Sequence, residues 1–495
     1  MNVRTRFCLI ALLVTPLLTY WQAIFSTYGI RDDYAHIRVA REEPGELIEA
    51  TSTRGRVLNG ALLDTSFAKI GSVDELMWLR LGGVGLLILA GIAVWRQLDY
   101  SGWHEVDAAA VGLGITLLPA AQVIASWAVL WPFALAVLMS IAGYSAVDNE
   151  LVRGGPRRVT GLIGAWLLYC GAALVYQPGA LFAVMLVAGT LLMSPVRLWE
   201  ESKKTAALHL LVMVAGLLAA FIIYQTLYSG GVFSRASRMQ LEHQPFAKLA
   251  WFLWQPLPNA LAVLPLRDDF HAGEWILWLT AAGVVWLLVT GFRQAVEREG
   301  SIGRQRWLIC LTVLPVTASL MSLVSSDRAA GYREHYALAG LVLLLLVTAW
   351  RQWPGPERFR LLIHYTGIGT LLLVMAVLAG LNSEYLLAGP QAREWDHIRT
   401  AVMQANFDGP KTRVYVIEPT IEDRSTNRIH GDEFGALSSF LPSVTREMFK
   451  AALRERFPDG LPHGQKYEFT SGKQPPADQT ADVIIDMRTL KRGRR

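Results

Sequence analysis

The chain has 495 residues, 53% hydrophobic and 18% charged, with 17 tryptophans and a mean hydropathy of +0.32. That balance excludes a disordered chain and an ordinary soluble globule, and it predicts a polytopic membrane protein. The net charge of +5 is small for the length, and the basic residues are spread over loops without aromatic interleaving, which excludes nucleic acid as a natural partner.

The first apolar run, about Phe7 to Phe25, follows a basic start. Bulky Trp21, Ile24 and Phe25 stand where a cleaved signal would need small residues, so the run reads as a retained anchor with a cytoplasmic N-terminus. Further apolar runs follow at 77–95, 107–125, 127–146, 159–176, 180–195, 206–228, 275–292, 307–325, 336–350 and 362–382, about eleven spans in all. An odd number places the two termini on opposite sides. The loops then assigned to the cytoplasm carry Arg153, Arg157 and Arg158; Arg197, Lys203 and Lys204; Arg293, Arg298, Arg304 and Arg306; and Arg351, Arg358 and Arg360, as the positive-inside rule requires. Cys8, Cys170 and Cys310 all fall in apolar runs, which suggests no disulfide framework and no thiolate metal site.

The external side carries the chemistry. The long loop 26–73 opens with Tyr28-Gly-Ile-Arg-Asp-Asp-Tyr-Ala-His36, which puts Asp32 and Asp33 beside Arg31 and His36 where the first helix returns the chain to water. Charge at the mouth of a helix bundle marks a candidate site, because carboxylates near lipid are costly; the competing reading is a solvated loop. Two short interfacial helices are expected over 35–50, broken at Pro44-Gly45. Arg54-Gly-Arg56 follows, with guanidinium forks suited to phosphate oxygens or to lipid headgroups. Trp127 and Trp131 read as an interfacial belt, with a sugar platform as the alternative. Tyr176 and Gln177 end one helix before Pro178 begins the next, which aims a hydroxyl and an amide at the interior of the bundle; a plain capping turn is the other reading.

The second long external loop, 229–274, contains Arg235, Arg238, a helix with Trp251 and Trp254, and Arg267-Asp-Asp-Phe-His271, whose Asp268 and Asp269 rank second as a catalytic pair. The short loop 325–335 packs Asp327, Arg328, Tyr332, Arg333, Glu334 and His335 together, either as an anion site on Arg328 and Arg333 or as a salt-bridge cluster. Residues 383–495 read as a small soluble α/β domain after a membrane part of 1–382. A helix is expected near 393–407, strands at 412–418, 466–470 and 482–487, and a helix over 444–457. The stretch Arg428 to Ser439 reads as a ligand-facing loop or, with slight preference, an ordinary turn.

The order of a single helix, Asp32-Asp33 in a long external loop, Gly55-Arg56 before the second span and Tyr176-Gln177 further on resembles the C-type membrane glycosyltransferases (GT-C fold). It is similar in particular to the bacterial glucosyltransferase II group that decorates O-antigen. The resemblance implies a polyprenyl-phosphate-linked sugar donor, a glycan or lipid acceptor, and transfer on the periplasmic face of a bacterial inner membrane. Pro178 and the sizeable C-terminal domain depart from the group's pattern.

The chemistry suits the residues independently. Asp32 or Asp33 would deprotonate the acceptor hydroxyl while its neighbour orients the surroundings, with Arg31, His36, Tyr176, Gln177 and Tyr332 against substrate. Arg54, Arg56, Arg328, Arg333 and His335 would face the donor phosphate. A divalent cation, Mg2+ or Mn2+, at the Asp pair is compatible with this chemistry but not required by it. A lipid-linked oligosaccharide flippase, expected to show a charged route through the bundle, and an envelope assembly subunit, expected to tolerate loss of the Asp pair, are the readings from other classes.

Overall fold

The computed structural model describes residues 2–153, 158–234, 240–269, 274–353, 356–407, 411–420, 423, 430–431, 433–461, 465–475 and 481–488. Arg157, Arg235, Arg238, His271 and Arg428 lie outside the described residues. Among the described residues, seven helices are long and apolar enough to cross a membrane, and the bent pair Glu105–Ile115 and Pro119–Ser126 brings the number to eight. The protein is thus a polytopic helical bundle with a small C-terminal sheet.

Four of the expected spans are shorter or broken, and proline stands at three of them. The first helix, Val3–Thr19, has 17 residues and carries Pro16. Pro119 restarts the run after a bend of 52°. The run 307–325 divides into a π turn at Ile309–Val313 and the short helices Leu314–Ala318, with Pro315 in its first turn, and Leu320–Val324. The run 180–195 holds only the ten-residue helix Val184–Met193.

The break at 115–119 is sustained because its freed carbonyls find partners inside the protein. The Ile115 carbonyl accepts from the Tyr336 hydroxyl at 2.7 Å, that of Thr116 from Tyr20 at 2.7 Å, and that of Leu117 from the Gln122 amide at 2.9 Å. The broken pair is buried and is tied to loop 26–73 by the Tyr28 hydroxyl, which donates to the Ser126 carbonyl at 2.8 Å. Helices Leu76–Tyr100 and Glu105–Ile115 approach closely where Gly91 faces Gly112. A Cβ on either glycine would fall within 2.6 Å of the other's carbonyl oxygen, so the crossing needs both.

Loop 26–73 folds into helices Asp32–Glu42, Glu46–Ser52 and Val57–Phe67, with Gly45 at φ 90° supplying the turn that an L side chain would resist. At the other end of the chain, helix Glu357–Asn382 continues without a break through a π turn at Ser383–Ala388 into Gly389–Gln404, so the boundary expected at 382/383 falls inside a continuous helix. Strands β1 (Lys411–Ile417), β2 (Lys466–Gly472) and β3 (Val483–Asp486) form a parallel sheet in the order β2-β1-β3, with Val414 opposite both Phe469 and Val483. Helix Pro442–Arg456 makes the crossover from β1 to β2 and packs its buried Phe449 on Tyr467 and Phe469, each at 5.4 Å.

The C-terminal part rests on loop 26–73. Arg38 meets Glu447 at 2.8 Å, Arg454 pairs with Glu42, and the Arg31 amide donates to Ser438 Oγ at 2.9 Å. These contacts place the sheet on the same side of the bundle as the Asp pair.

Candidate active site

The fold divides the Asp32-Asp33 pair. Arg31 takes φ 45° and ψ −103°, the conformation of the first central residue of a II′ turn, where glycine is the ordinary occupant, and the Asp33 amide closes the turn on the Ile30 carbonyl at 3.0 Å. Strain at such a position persists only where the surroundings over-determine it. Asp33 supplies that constraint. Its fully buried carboxylate accepts from the Ile30 amide at 2.8 Å and from the Val129 amide, across the bundle, at 3.0 Å. Burial pushes its pKa up to about 7, against the lowering pull of those two amides and of Arg80.

Arg80, also fully buried, fixes the approach to the turn. It donates to the carbonyls of Tyr28 at 2.8 Å, Ser26 at 2.7 Å and Ile24 at 3.3 Å, and its guanidinium lies 4.1 Å from the Tyr28 ring centre. Asp32, one residue along, is exposed at the first turn of its helix, and among the described residues its carboxylate meets no protein donor. His36 bonds through Nδ1 to the Asp32 carbonyl. Burial holds its pKa below 6.5, with Asp32 and Arg54 both within electrostatic reach.

The Gly55-Arg56 and Tyr176-Gln177 pairs come together. Gly55 at φ 71° turns the chain so that Arg56 Nε donates to Gln177 Oε1 at 3.0 Å, while Gln177 Nε2 donates to the carbonyls of Arg54 at 3.0 Å and Gly55 at 3.3 Å. Helix Arg158–Ala180 is kinked at Tyr176 (φ −158°, ψ 106°), just before Pro178. The kink stacks the Tyr176 ring on Phe133 at 3.5 Å, and the Arg56 guanidinium sits 4.9 Å from the Tyr176 ring centre. Among the described residues the Nη groups of Arg56 have no protein acceptor and Arg54 has no carboxylate partner. Both line a small cavity of about 90 Å3 together with Gln177, Asp327 and Glu334.

The cluster expected at 325–335 is spread out. Arg328 faces a separate, larger cavity and lies 3.8 Å from Glu242. Arg333 lies over the Trp127 ring at 5.0 Å and 3.5 Å from Glu433 of the C-terminal part. Tyr332 and His335 are buried, and the Tyr332 hydroxyl accepts from the Arg267 amide at 2.9 Å. The structure therefore does not bring Arg328 and Arg333 together on one anion. Trp127 is likewise buried beneath Arg333 and is no part of an interfacial belt.

The stretch read as a turn near residue 430 is a latch. His430 meets Asp269 at 3.1 Å through Nδ1 and the Ala330 carbonyl at 3.1 Å through Nε2, and the Gly431 amide donates to Asp269 at 2.7 Å. Glu433 accepts from the amides of Tyr332 at 2.7 Å and Arg333 at 3.2 Å, and it comes so close that a Cβ on Gly331 would lie 2.9 Å from its Oε1.

Burial lowers the His430 pKa, but the bond and charge of Asp269 with the charge of Glu433 outweigh it and the net shift is upward. Asp269 is pushed up by burial and, more strongly in sum, down by His430, Gly431 and Arg267. His430 therefore stabilises the latch below pH 6.5 and loses that contribution as pH rises through its raised folded value. Asp269 contributes above pH 3.8 and loses that as pH falls through its depressed one. Once intrinsic base catalysis is divided out, the protection of the His430, Gly431, Glu433 and Phe434 amides is expected to fall as pH rises past the His430 titration, a step that His430→Gln should abolish; protection factors that do not change with pH in the native chain would contradict the latch.

Asp33 does not fit a shared cation site with Asp32, since both its oxygens accept from backbone amides. Among the described residues no three His, Cys, Asp or Glu side chains are grouped to hold a metal ion. Asp33→Asn would set an amide NH2 against one of the two N–H groups aimed at this position. A buried donor left unsatisfied costs about 1–3 kcal/mol, so the variant should melt earlier by that margin in thermal unfolding. An unchanged melting temperature would remove the bracing role.

The sequence reading does not single out Arg80, although a lone arginine inside the apolar run 77–95 is a signal that was there to use. The roles of Phe133 and Glu433 carry no sequence signal, because each depends on a partner far along the chain.

No family model and no curated protein sequence matches the chain. Solved structures with a similar fold include an archaeal oligosaccharyltransferase, AglB from Archaeoglobus fulgidus, in complex with an inhibitory peptide and a dolichol-phosphate. It is 13% identical with a TM-score of 0.41, over 84% of this chain and 63% of that one. They also include ArnT from Cupriavidus metallidurans bound to undecaprenyl phosphate, 13% identical with a TM-score of 0.40 over 97% of this chain and 90% of that one, and its apo state, 15% identical with a TM-score of 0.43. The chain spans less than two thirds of the length of the oligosaccharyltransferase. At this level of similarity the likeness carries no argument of its own, and the functional reading rests on the chain's residues.

Proposed function

We propose that the protein is a membrane glycosyltransferase that moves a sugar from a polyprenyl-phosphate donor to a glycan or lipid acceptor. The observation that supports it best is the grouping, on one face, of Asp32, whose carboxylate meets no protein donor among the described residues, with Arg54 and Arg56, which form no close ion pair among them although Glu334 lies within electrostatic reach of Arg56. Asp32 takes the proton of the acceptor hydroxyl as that oxygen bonds the anomeric carbon. The bond from the anomeric carbon to the phosphate oxygen breaks, and the lipid phosphate leaves with the electron pair.

Arg56 meets the growing charge with its Nη groups, its plane fixed by Gln177 and by the stacked rings of Tyr176 and Phe133. Arg54 adds a second positive charge. His36 and Arg31 flank the base, and Asp33 holds the turn that presents it. Arg328, Arg333, Tyr332 and His335 act in this reading as supports of the loop that walls the arginine cavity.

In this reading the protein sits in a bacterial inner membrane with the N-terminus cytoplasmic and the C-terminal part periplasmic, which the arginine content of the alternate loops in the sequence supports. Assignment to O-antigen decoration follows from the Asp-Asp, Gly-Arg and Tyr-Gln resemblance alone. The test is reconstitution in vesicles sorted by orientation, with a polyprenyl-phosphate sugar supplied from outside and its consumption followed by mass spectrometry. Turnover is expected where the C-terminal part faces outward; no donor consumption in either orientation would overturn the reading.

A further inference from the structure

The turn at Arg31 is held from two directions. Asp33 ties it to the bundle through the amides of Ile30 and Val129. The amide of Arg31 itself is bound by the C-terminal part, on Ser438 Oγ at 2.9 Å. Arg31 leaves its φ of 45° for the negative region only if the peptide that carries this N–H turns against the rest of the residue, so a fixed acceptor on the N–H opposes that relaxation directly. A relaxed turn would re-aim the helix start that carries Asp32.

Ser438 can serve as that acceptor in one orientation alone. Gln391, on helix Gly389–Gln404, commits its Nε2 to the Ala436 carbonyl at 2.7 Å, which leaves its Oε1 to accept from the Ser438 hydroxyl at 2.6 Å. The lone pairs of Ser438 Oγ are thereby left to the Arg31 amide. The backbone beneath is pinned in turn: the Glu394 carboxylate accepts from the amides of Ser438 at 2.8 Å and Ser439 at 3.1 Å, and from the Ser439 hydroxyl. Ser438, Ser439 and Glu394 are fully buried and Gln391 nearly so, and a buried network whose donors and acceptors are matched holds a single geometry.

The same helix reaches the turn at a second point. Trp395 lies 5.6 Å from the Tyr34 ring, and the Tyr34 hydroxyl accepts from the Gly29 amide at 3.1 Å. A Cβ on Gly29 would come within 3.1 Å of that ring, so the backbone entering the turn is packed against it.

We propose that Ser438 is a positioning residue of the transfer reaction: oriented by Gln391 and seated by Glu394, it holds the Arg31 amide so that the strained turn presents Asp32 to the acceptor hydroxyl. The C-terminal part then completes the active site rather than merely docking beside it. The hold on Arg31 stands on the geometry; its effect on transfer rests on the transferase reading above.

The test compares Ser438→Ala with Ser439→Ala in the full chain in nanodiscs. Each removes a buried hydroxyl from the same network, but only the Ser438 hydroxyl meets Arg31. Single-turnover consumption of undecaprenyl-phosphate glucose is expected to slow roughly tenfold or more in Ser438→Ala, with binding of undecaprenyl phosphate unchanged, and less than about twofold in Ser439→Ala. Exchange of the Arg31 amide, resolved by fragmentation mass spectrometry, should accelerate in Ser438→Ala alone. In an Arg31→Gly background, where a positive φ costs no strain, adding Ser438→Ala should slow transfer less than about threefold, a comparison that stands even if strain keeps Ser438→Ala alone from folding. Equal slowing by the two serine variants would overturn the proposal, as would native transfer in Ser438→Ala or an undiminished effect of it in the glycine background. The exchange measurement needs no turnover, so fast Arg31 exchange confined to Ser438→Ala, in a chain that consumes no donor, supports the hold on Arg31 while failing the transferase reading.

Discussion

Asp32→Asn is expected to lower sugar transfer roughly 100-fold or more while the protein folds and binds donor as before. The side chain is exposed and bonds no protein donor among the described residues, so exchanging a carboxylate oxygen for an amide nitrogen removes a proton acceptor and little else. Stability should move by less than about 0.5 kcal/mol, the ordinary range for a surface substitution. The split between lost turnover and retained binding separates a base from a structural residue. Activity near the native level would send the search to Asp268 and Asp269, and activity in all four Asn variants would remove the enzyme reading.

The second large effect is expected at Arg56. Arg56→Ala should weaken binding of a polyprenyl phosphate roughly 100-fold, and Arg56→Lys roughly tenfold, because lysine keeps the charge but loses the fork that Gln177 and the Tyr176 ring orient. Titration of the purified protein in nanodiscs with a polyprenyl phosphate would measure both. Arg333→Ala gives the contrast: with Glu433 and Trp127 as its neighbours, it should change stability more than affinity. Native affinity in Arg54→Ala and Arg56→Ala alike would take the phosphate away from this cavity.

Much of the architecture was legible because its signals are local. The interruption at Pro44-Gly45, the strands of the C-terminal sheet and its crossover helix follow from patterns that a few neighbouring residues carry. The broken spans were less legible. Apolar content alone does not report that Pro119 restarts a helix or that Tyr20, Gln122 and Tyr336 wait to receive the carbonyls so released.

In the candidate site, the Tyr176-Gln177 and Gly55-Arg56 motifs pointed to groups that the fold does bring together. The division of labour between Asp32 and Asp33 was not readable, since it depends on an amide 96 residues away, that of Val129. The separation of Arg328 from Arg333 has the same origin: their partners, Glu242 and Glu433, lie on distant segments.

The most direct test of the central claim compares Asp32→Asn with Asp33→Asn in single-turnover transfer, alongside donor binding and thermal unfolding. The account predicts that Asp32→Asn melts and binds normally but transfers roughly 100-fold more slowly or worse, whereas Asp33→Asn loses about 1–3 kcal/mol of stability and any loss of transfer follows that loosening. Near-native transfer by Asp32→Asn with donor bound would contradict it.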